Sequence, residues 1–89
     1  MKILSGFKLR PLGREFIITA DTPSQVNFNK MIALNSTAAF LWNAVIGKDF
    51  TPEMMAELLE GEYEVDHETA LKDSKAIAAK WIEVGIAEE

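Results

Sequence analysis

Leu34-Asn35-Ser36-Thr37-Ala38-Ala39-Phe40-Leu41-Trp42 is the stretch that decides how this chain is read. Just ahead of it, Lys30-Met31-Ile32-Ala33-Leu34 is a short, mostly apolar run with the character of a strand. Behind it, Ala38, Leu41, Trp42, Val45 and Ile46 recur at i, i+3, i+4, i+7 and i+8, the stripe of a helix packed on a core. Asn35 or Ser36 stands between the two, and either side chain can accept a hydrogen bond from a free N–H of the first helical turn. The stretch therefore joins a strand to a helix with the cap at the junction.

Upstream, Phe7-Lys8-Leu9-Arg10 alternates apolar and basic residues, as a half-buried strand does. Pro11-Leu12-Gly13-Arg14 supplies turn chemistry, and Glu15-Phe16-Ile17-Ile18-Thr19-Ala20 is the aromatic and β-branched return strand. Asp21-Thr22-Pro23-Ser24-Gln25 reads as a loop, and Val26 and Phe28 as a packed approach to the third strand. Downstream, Gly47 ends the first helix. Thr51-Pro52-Glu53 opens a second with a cap, a proline at the first helical position and an early acid. Met54, Met55, Leu58 and Leu59 form its apolar face, Gly61 stops it, and Tyr63 and Val65 plug the connector into the core. Asp66 caps a third helix running to about Val84, with Ala70, Leu71, Ser74, Ile77, Ala78, Trp81 and Ile82 as its stripe. Gly85 ends that helix and Ile86 folds back. Three strands followed by three helices with short connections predict an α+β domain: a three-stranded antiparallel sheet in a winged helix-turn-helix-like order.

Eighty-nine residues suit one domain, residues 1–89, with a single modest core. At 48% hydrophobic and 26% charged the composition is ordinary for a globular protein. No cysteine is present, which excludes a disulfide framework or a thiolate metal site. The N-terminus lacks the apolar run of about 7–15 residues of a signal peptide, and no stretch approaches the roughly 18 apolar residues of a membrane span. A cytoplasmic protein without membrane contact is expected. Residues 1–48 carry six Lys/Arg against two acids, and residues 49–89 three lysines against twelve acids. A solvated surface accounts for this asymmetry; a polar interface between halves or with a partner is the alternative.

Catalysis finds no foothold. His67 is the only histidine, in the first turn of the third helix, where the positive helix end disfavours its charged form. It has no second histidine or cysteine to complete a zinc site. The acids of residues 60–68 lack the spacing of a calcium loop, and no phosphate loop or nucleophile elbow occurs. No catalytic residue, metal or cofactor is expected. Trp42 and Trp81 lie on the apolar stripes, the place of core residues; a partly open tryptophan lining a groove is the alternative. A DNA-binding regulator is the rival function for this element order. It calls for a basic recognition helix, but Lys72, Lys75 and Lys80 share theirs with Asp66, Glu68, Asp73 and Glu83 in an acidic half. Nucleic acid is therefore not the expected partner. A small assembly subunit, self-paired through the third strand, is a further reading.

Met31-Ile32-Ala33-Leu34-Asn35-Ser36-Thr37-Ala38-Ala39-Phe40-Leu41-Trp42, then Phe50-Thr51-Pro52-Glu53, Leu58-Leu59, Tyr63-Glu64-Val65, Asp73-Ser74, Ile77-Ala78, Trp81 and Gly85-Ile86, together resemble the PqqD family over roughly residues 7–87. Its members are also described as RiPP recognition elements. Ser74 and Ala78 stand where the family usually has larger aliphatics, and Trp81 where it has leucine. The resemblance implies a non-catalytic adaptor that binds the leader of a ribosomally made precursor peptide. It presents that peptide to a modifying enzyme, often a radical SAM protein. It further implies that the leader lies as an added strand on strand three, in a cleft bordered by helix three. On this sequence that implies Lys30, Met31, Ile32, Ala33 and Leu34 for backbone pairing, and Leu71, Ser74, Lys75 and Ala78 as helix neighbours.

Overall fold

Alternation of side chains sets the register of the sheet. The computed structural model describes residues 1–4, 6–20 and 32–89. Strands β1 (Lys2–Ile3), β2 (Phe7–Leu12), β3 (Glu15–Ala20) and β4 (Ile32–Leu34) precede helices α1 (Ser36–Val45), α2 (Pro52–Glu62) and α3 (His67–Glu83), and β5 (Ala87–Glu88) follows. The central sheet has the order β2-β3-β4, antiparallel throughout, with Leu9 opposite Ile18 and Ile18 opposite Ile32. Because successive side chains alternate between faces, Phe7, Ile18, Ile32 and Leu34 are buried together while Lys8 and Ala33 are exposed.

The β2–β3 hairpin is tighter than the sequence suggests. Pro11 and Leu12 belong to β2, Pro11 opposite Phe16 and Leu12 opposite Glu15, so the turn is Gly13-Arg14 alone. Gly13 takes φ +63° and Arg14 does not go positive, the pattern expected when glycine leads a two-residue hairpin turn. Proline is tolerated because β2 is an edge strand, where a missing N–H costs no ladder bond. The loop at 21–25, the approach at Val26 and Phe28, and Lys30 and Met31 lie outside the described residues.

Caps fall where the side-chain chemistry puts them. Asn35 Oδ1 accepts from the Ala38 N–H at 2.8 Å, Thr51 Oγ1 from Met54 at 3.2 Å and Asp66 Oδ1 from Thr69 at 3.3 Å. Asn35 keeps extended backbone angles, φ −76° and ψ 174°, so β4 passes straight into α1 without a loop. At the far end of α3 the Ile86 N–H reaches Trp81 O at 3.0 Å and the Gly85 N–H reaches Ile82 O at 3.1 Å, with Gly85 at φ +88°. That pair of bonds is a Schellman motif, and it turns Ile86 into the core.

The core centres on Trp42 and Trp81, each 1% exposed, their rings edge-on at 5.6 Å, with Phe50 edge-on to Trp81 at 6.1 Å. Both tryptophans thus take the core position read from the sequence. Several apolar assignments shift. Ile46 and Met54 are exposed, and Tyr63 is 40% exposed and meets Phe40 edge-on at 5.9 Å instead of entering the core. Gly61 does not stop α2: the helix continues through it to Glu62, and the Tyr63 N–H bonds Leu59 O at 2.8 Å. Tertiary packing tolerates a glycine that costs only about 1 kcal/mol. Strands β1 and β5, absent from the sequence reading, pair Lys2 with Glu88 and Ile3 with Ala87. Backbone bonds from Leu4 to Ile86 at 3.0 Å and from Phe50 to Met1 at 2.7 Å tie this ribbon to the body.

Candidate functional site

Strand β4 closes the central sheet on one side, and no described strand pairs with its outer edge. In any strand, alternate residues turn their N–H and C=O groups to each side, so the outer edge of β4 offers backbone groups that no described strand takes up. Pairing with β3 fixes the faces: Ile32 and Leu34 are buried, and Ala33 is exposed.

A groove of about 250 Å³ lies beside this edge. One wall is Ala33, Leu34, Asn35 and Ala38, contributed without interruption because the strand runs into the helix cap. The other wall is Ala76, Ile77, Lys80 and Trp81 of α3. Alanines on both sides keep the hollow open, and the otherwise buried Trp81 contributes to its lining. A second hollow of about 330 Å³ continues the first, sharing Asn35, Ala76 and Ile77 and adding Thr37 and Asp73. Of these two hollows Lys80 lines only the first and Asp73 only the second; Asp73 and Thr37 also line a third, with Leu59, Tyr63 and Val65. Neither Lys80 nor Asp73 is in an ion pair among the described residues. A concavity of about 260 Å³ between α1 and α2 is lined only by helical and turn residues, so it has no backbone edge to offer.

The residues that the sequence suggests are distributed unevenly over this geometry. Ile32, Ala33 and Leu34 form the edge itself. Ser74 and Ala78, at 0% and 1% exposure, face the core and present no surface to the groove. Leu71 is half-buried and Lys75 exposed, and neither lines either hollow. At about 100° per residue, Ala70, Ser74, Ala78 and Trp81 occupy the inward face of α3. The groove set Asp73, Ala76, Ile77 and Lys80 is on one flank of that face, and Leu71 and Lys75 are on the other. Sequence reasoning missed Asn35, Thr37, Ala38, Asp73, Ala76, Ile77 and Lys80 as groove residues, and offered Trp81 only as an alternative to its core role. Periodicity carried no signal for the difference: Ser74, Ile77, Ala78 and Trp81 share one apolar stripe, yet only Ile77 and Trp81 line the groove.

The groove offers apolar side chains, the Asp73 carboxylate, the Lys80 ammonium and a strand edge. Among the described residues no cluster of His, Asp and Glu could hold a metal ion, and no helix is long and apolar enough to cross a membrane. His67 lies away from the groove, with Nδ1 2.9 Å from Glu60 Oε2. The hydrogen bond and charge of Glu60 raise its pKa above the usual histidine value. This corrects the expectation from the helix end: a carboxylate in hydrogen-bond contact outweighs the partial charge of the helix terminus.

A family model described as "Coenzyme PQQ synthesis protein D (PqqD)" matches residues 9–87. The chain belongs to the PqqD family. No curated protein matches the sequence. Among solved structures the chain is similar to "TbiB1 in Complex with the TbiA(beta) Leader Peptide", with a TM-score of 0.77 at 17% identity. The match covers 99% of this chain and 95% of the other. At that identity the likeness concerns the fold: the PqqD-like arrangement of a three-stranded sheet followed by three helices.

Proposed function

We propose that this PqqD-family chain is a non-catalytic adaptor that binds the leader of a ribosomally made precursor peptide as an added strand on β4 and presents it to a modifying enzyme, of the radical SAM class. The observation that carries the reading is the coincidence of a strand edge that no described strand covers with an apolar groove along the same edge. The leader-bound protein of like fold supports it. In this proposal Ile32, Ala33 and Leu34, with Met31 and Lys30 before them in sequence, pair with the leader backbone, and Ala76, Ile77 and Lys80 face its side chains.

Energetics assign different tasks to edge and groove. Each added backbone hydrogen bond nets about 0.5–1.5 kcal/mol, while ordering each leader residue costs about 1–2 kcal/mol. Pairing alone roughly cancels. Apolar anchors, at about 1.5–3 kcal/mol each on burial, must supply affinity, so a leader with two or three Leu, Ile, Phe or Val residues is expected.

The test is Ile77→Arg, which puts a charge in the groove from a half-buried position. Losing one anchor's burial weakens leader affinity about tenfold or more. Fluorescence anisotropy with the labelled leader of a short precursor frame neighbouring the gene reads this out, and near-UV circular dichroism verifies folding. Undiminished affinity in a folded variant would refute groove binding. Sedimentation of the free chain separates this role from self-pairing through β4, which predicts a stable dimer.

A further inference from the structure

We propose that the groove reads the order of charges in its guest: a basic residue at the Asp73 end, a carboxylate at the Lys80 end, and an apolar side chain between them beside Ile77. The inference rests on the peptide-binding reading above and adds a substrate class to it.

Three observations fix the order. First, Asp73 and Lys80 line two hollows that share Asn35, Ala76 and Ile77, and neither is in an ion pair among the described residues. Their neighbours Lys72 and Glu83 line neither hollow. Second, Ala33 and Leu34 line the hollow of Lys80 alone, and Asn35 after them lines both hollows. The strand direction, from Ala33 to Asn35, therefore runs from the Lys80 hollow toward that of Asp73; in α1, Ala38 turns back to the first hollow and Thr37 faces the second. Third, both pairings in the sheet are antiparallel. A guest that continues the pattern runs opposite to β4 and meets Asp73 with its N-terminal side and Lys80 with its C-terminal side.

Spacing follows from the two geometries. Seven helical residues separate Asp73 and Lys80, an axial distance of about 10.5 Å. An extended guest rises about 3.3 Å per residue and shows alternate side chains to one face. The closest same-face spacing that leaves an apolar residue between the charges is four positions. The guest pattern is then Lys/Arg at the first position, a large apolar residue at the third and Asp/Glu at the fifth.

Each contact is solvent-exposed, so each shifts affinity only about two- to fivefold. Exchanging the two guest charges converts both contacts into repulsions, and the expected loss is about tenfold at low salt. At 1 M salt the screening length falls to about 3 Å and the difference closes.

The probe is a displayed library of short peptides with a fixed central leucine and randomised flanks. It is selected in parallel on the wild-type chain and on a doubly charge-reversed Lys80→Glu, Asp73→Lys variant whose fold is verified by circular dichroism. Sequences that still bind Ile77→Arg are discarded as binding elsewhere. The expected result is base-before-acid enrichment on wild type and acid-before-base on the variant, with preferences that fade at high salt. Identical charge order on both proteins, or none, overturns this inference and leaves the peptide reading standing. If neither protein enriches any Ile77-dependent peptide, both readings fall.

Discussion

Replacing Ser74 by alanine should stabilise the domain. Ser74 is fully buried on the inward face of α3, and its Oγ has no hydrogen-bond partner among the described residues. A buried hydroxyl left unpaired costs about 1–3 kcal/mol, and alanine adds a few tenths through its helix propensity. Against this stand the few dispersion contacts of one oxygen, at about 0.1–0.2 kcal/mol each. The balance is a gain of about 1–2 kcal/mol, and each kcal/mol raises Tm by about 4–8 °C in a domain of this size. Urea unfolding followed by the fluorescence of Trp42 and Trp81 provides the assay: the midpoint rises while the slope stays constant. Since Ser74 does not line the groove, Ser74→Ala should leave leader affinity within about twofold, that is within about 0.4 kcal/mol. A lowered midpoint would show that the hydroxyl is satisfied. A lost affinity would show that the inward face of α3, and not its flank, meets the peptide.

Other substitutions test separate parts of the structure. Trp81→Ala removes a side chain packed against Trp42 and Phe50; the cost of about 3–5 kcal/mol is a large share of the roughly 5–15 kcal/mol of a whole domain. Chemical denaturation should find it largely unfolded, with Trp81→Phe intermediate. Asn35→Ala deletes the cap of α1 and should cost about 1 kcal/mol, most of which Asn35→Ser should restore in the same assay. His67 should titrate above the usual histidine value by NMR, and Glu60→Gln should return it toward that value. Because the folded-state pKa is the raised one, the stability from this pair is fully present below the ordinary histidine pKa. It is lost as pH rises through the higher folded value, and Glu60→Gln should flatten stability across that window.

What the sequence made legible was local. Asn35, Thr51 and Asp66 cap helices because short oxygen-bearing side chains serve free N–H groups wherever the chain context puts them. Alternation in β2 likewise set its inward face. Boundaries governed by neighbours were harder. Pro11 could join a strand only because β2 is an edge, and Gly61 could remain helical only because α2 packs on α3. Of the candidate site, the strand edge at Ile32–Leu34 was readable from the apolar run before the cap. The flank of α3 that meets it was not, since periodicity gives the inward face of a helix but not which element lies to its left or right. The charge order from Asp73 to Lys80 depends on that same missing rotation.

Strands β1 and β5 bring Lys2 and Glu88 side by side, with 3.6 Å between Nζ and Oε1. A short linker could therefore splice position 88 to position 2 without disturbing either partner, and new ends could be opened in the exposed Gly13-Arg14 turn. Such a circular permutant would keep the groove while moving the attachment point for any fused enzyme to the tip of the hairpin. Comparing peptide delivery from the two attachment points would measure how far the adaptor's reach, as distinct from its grip, governs the handover.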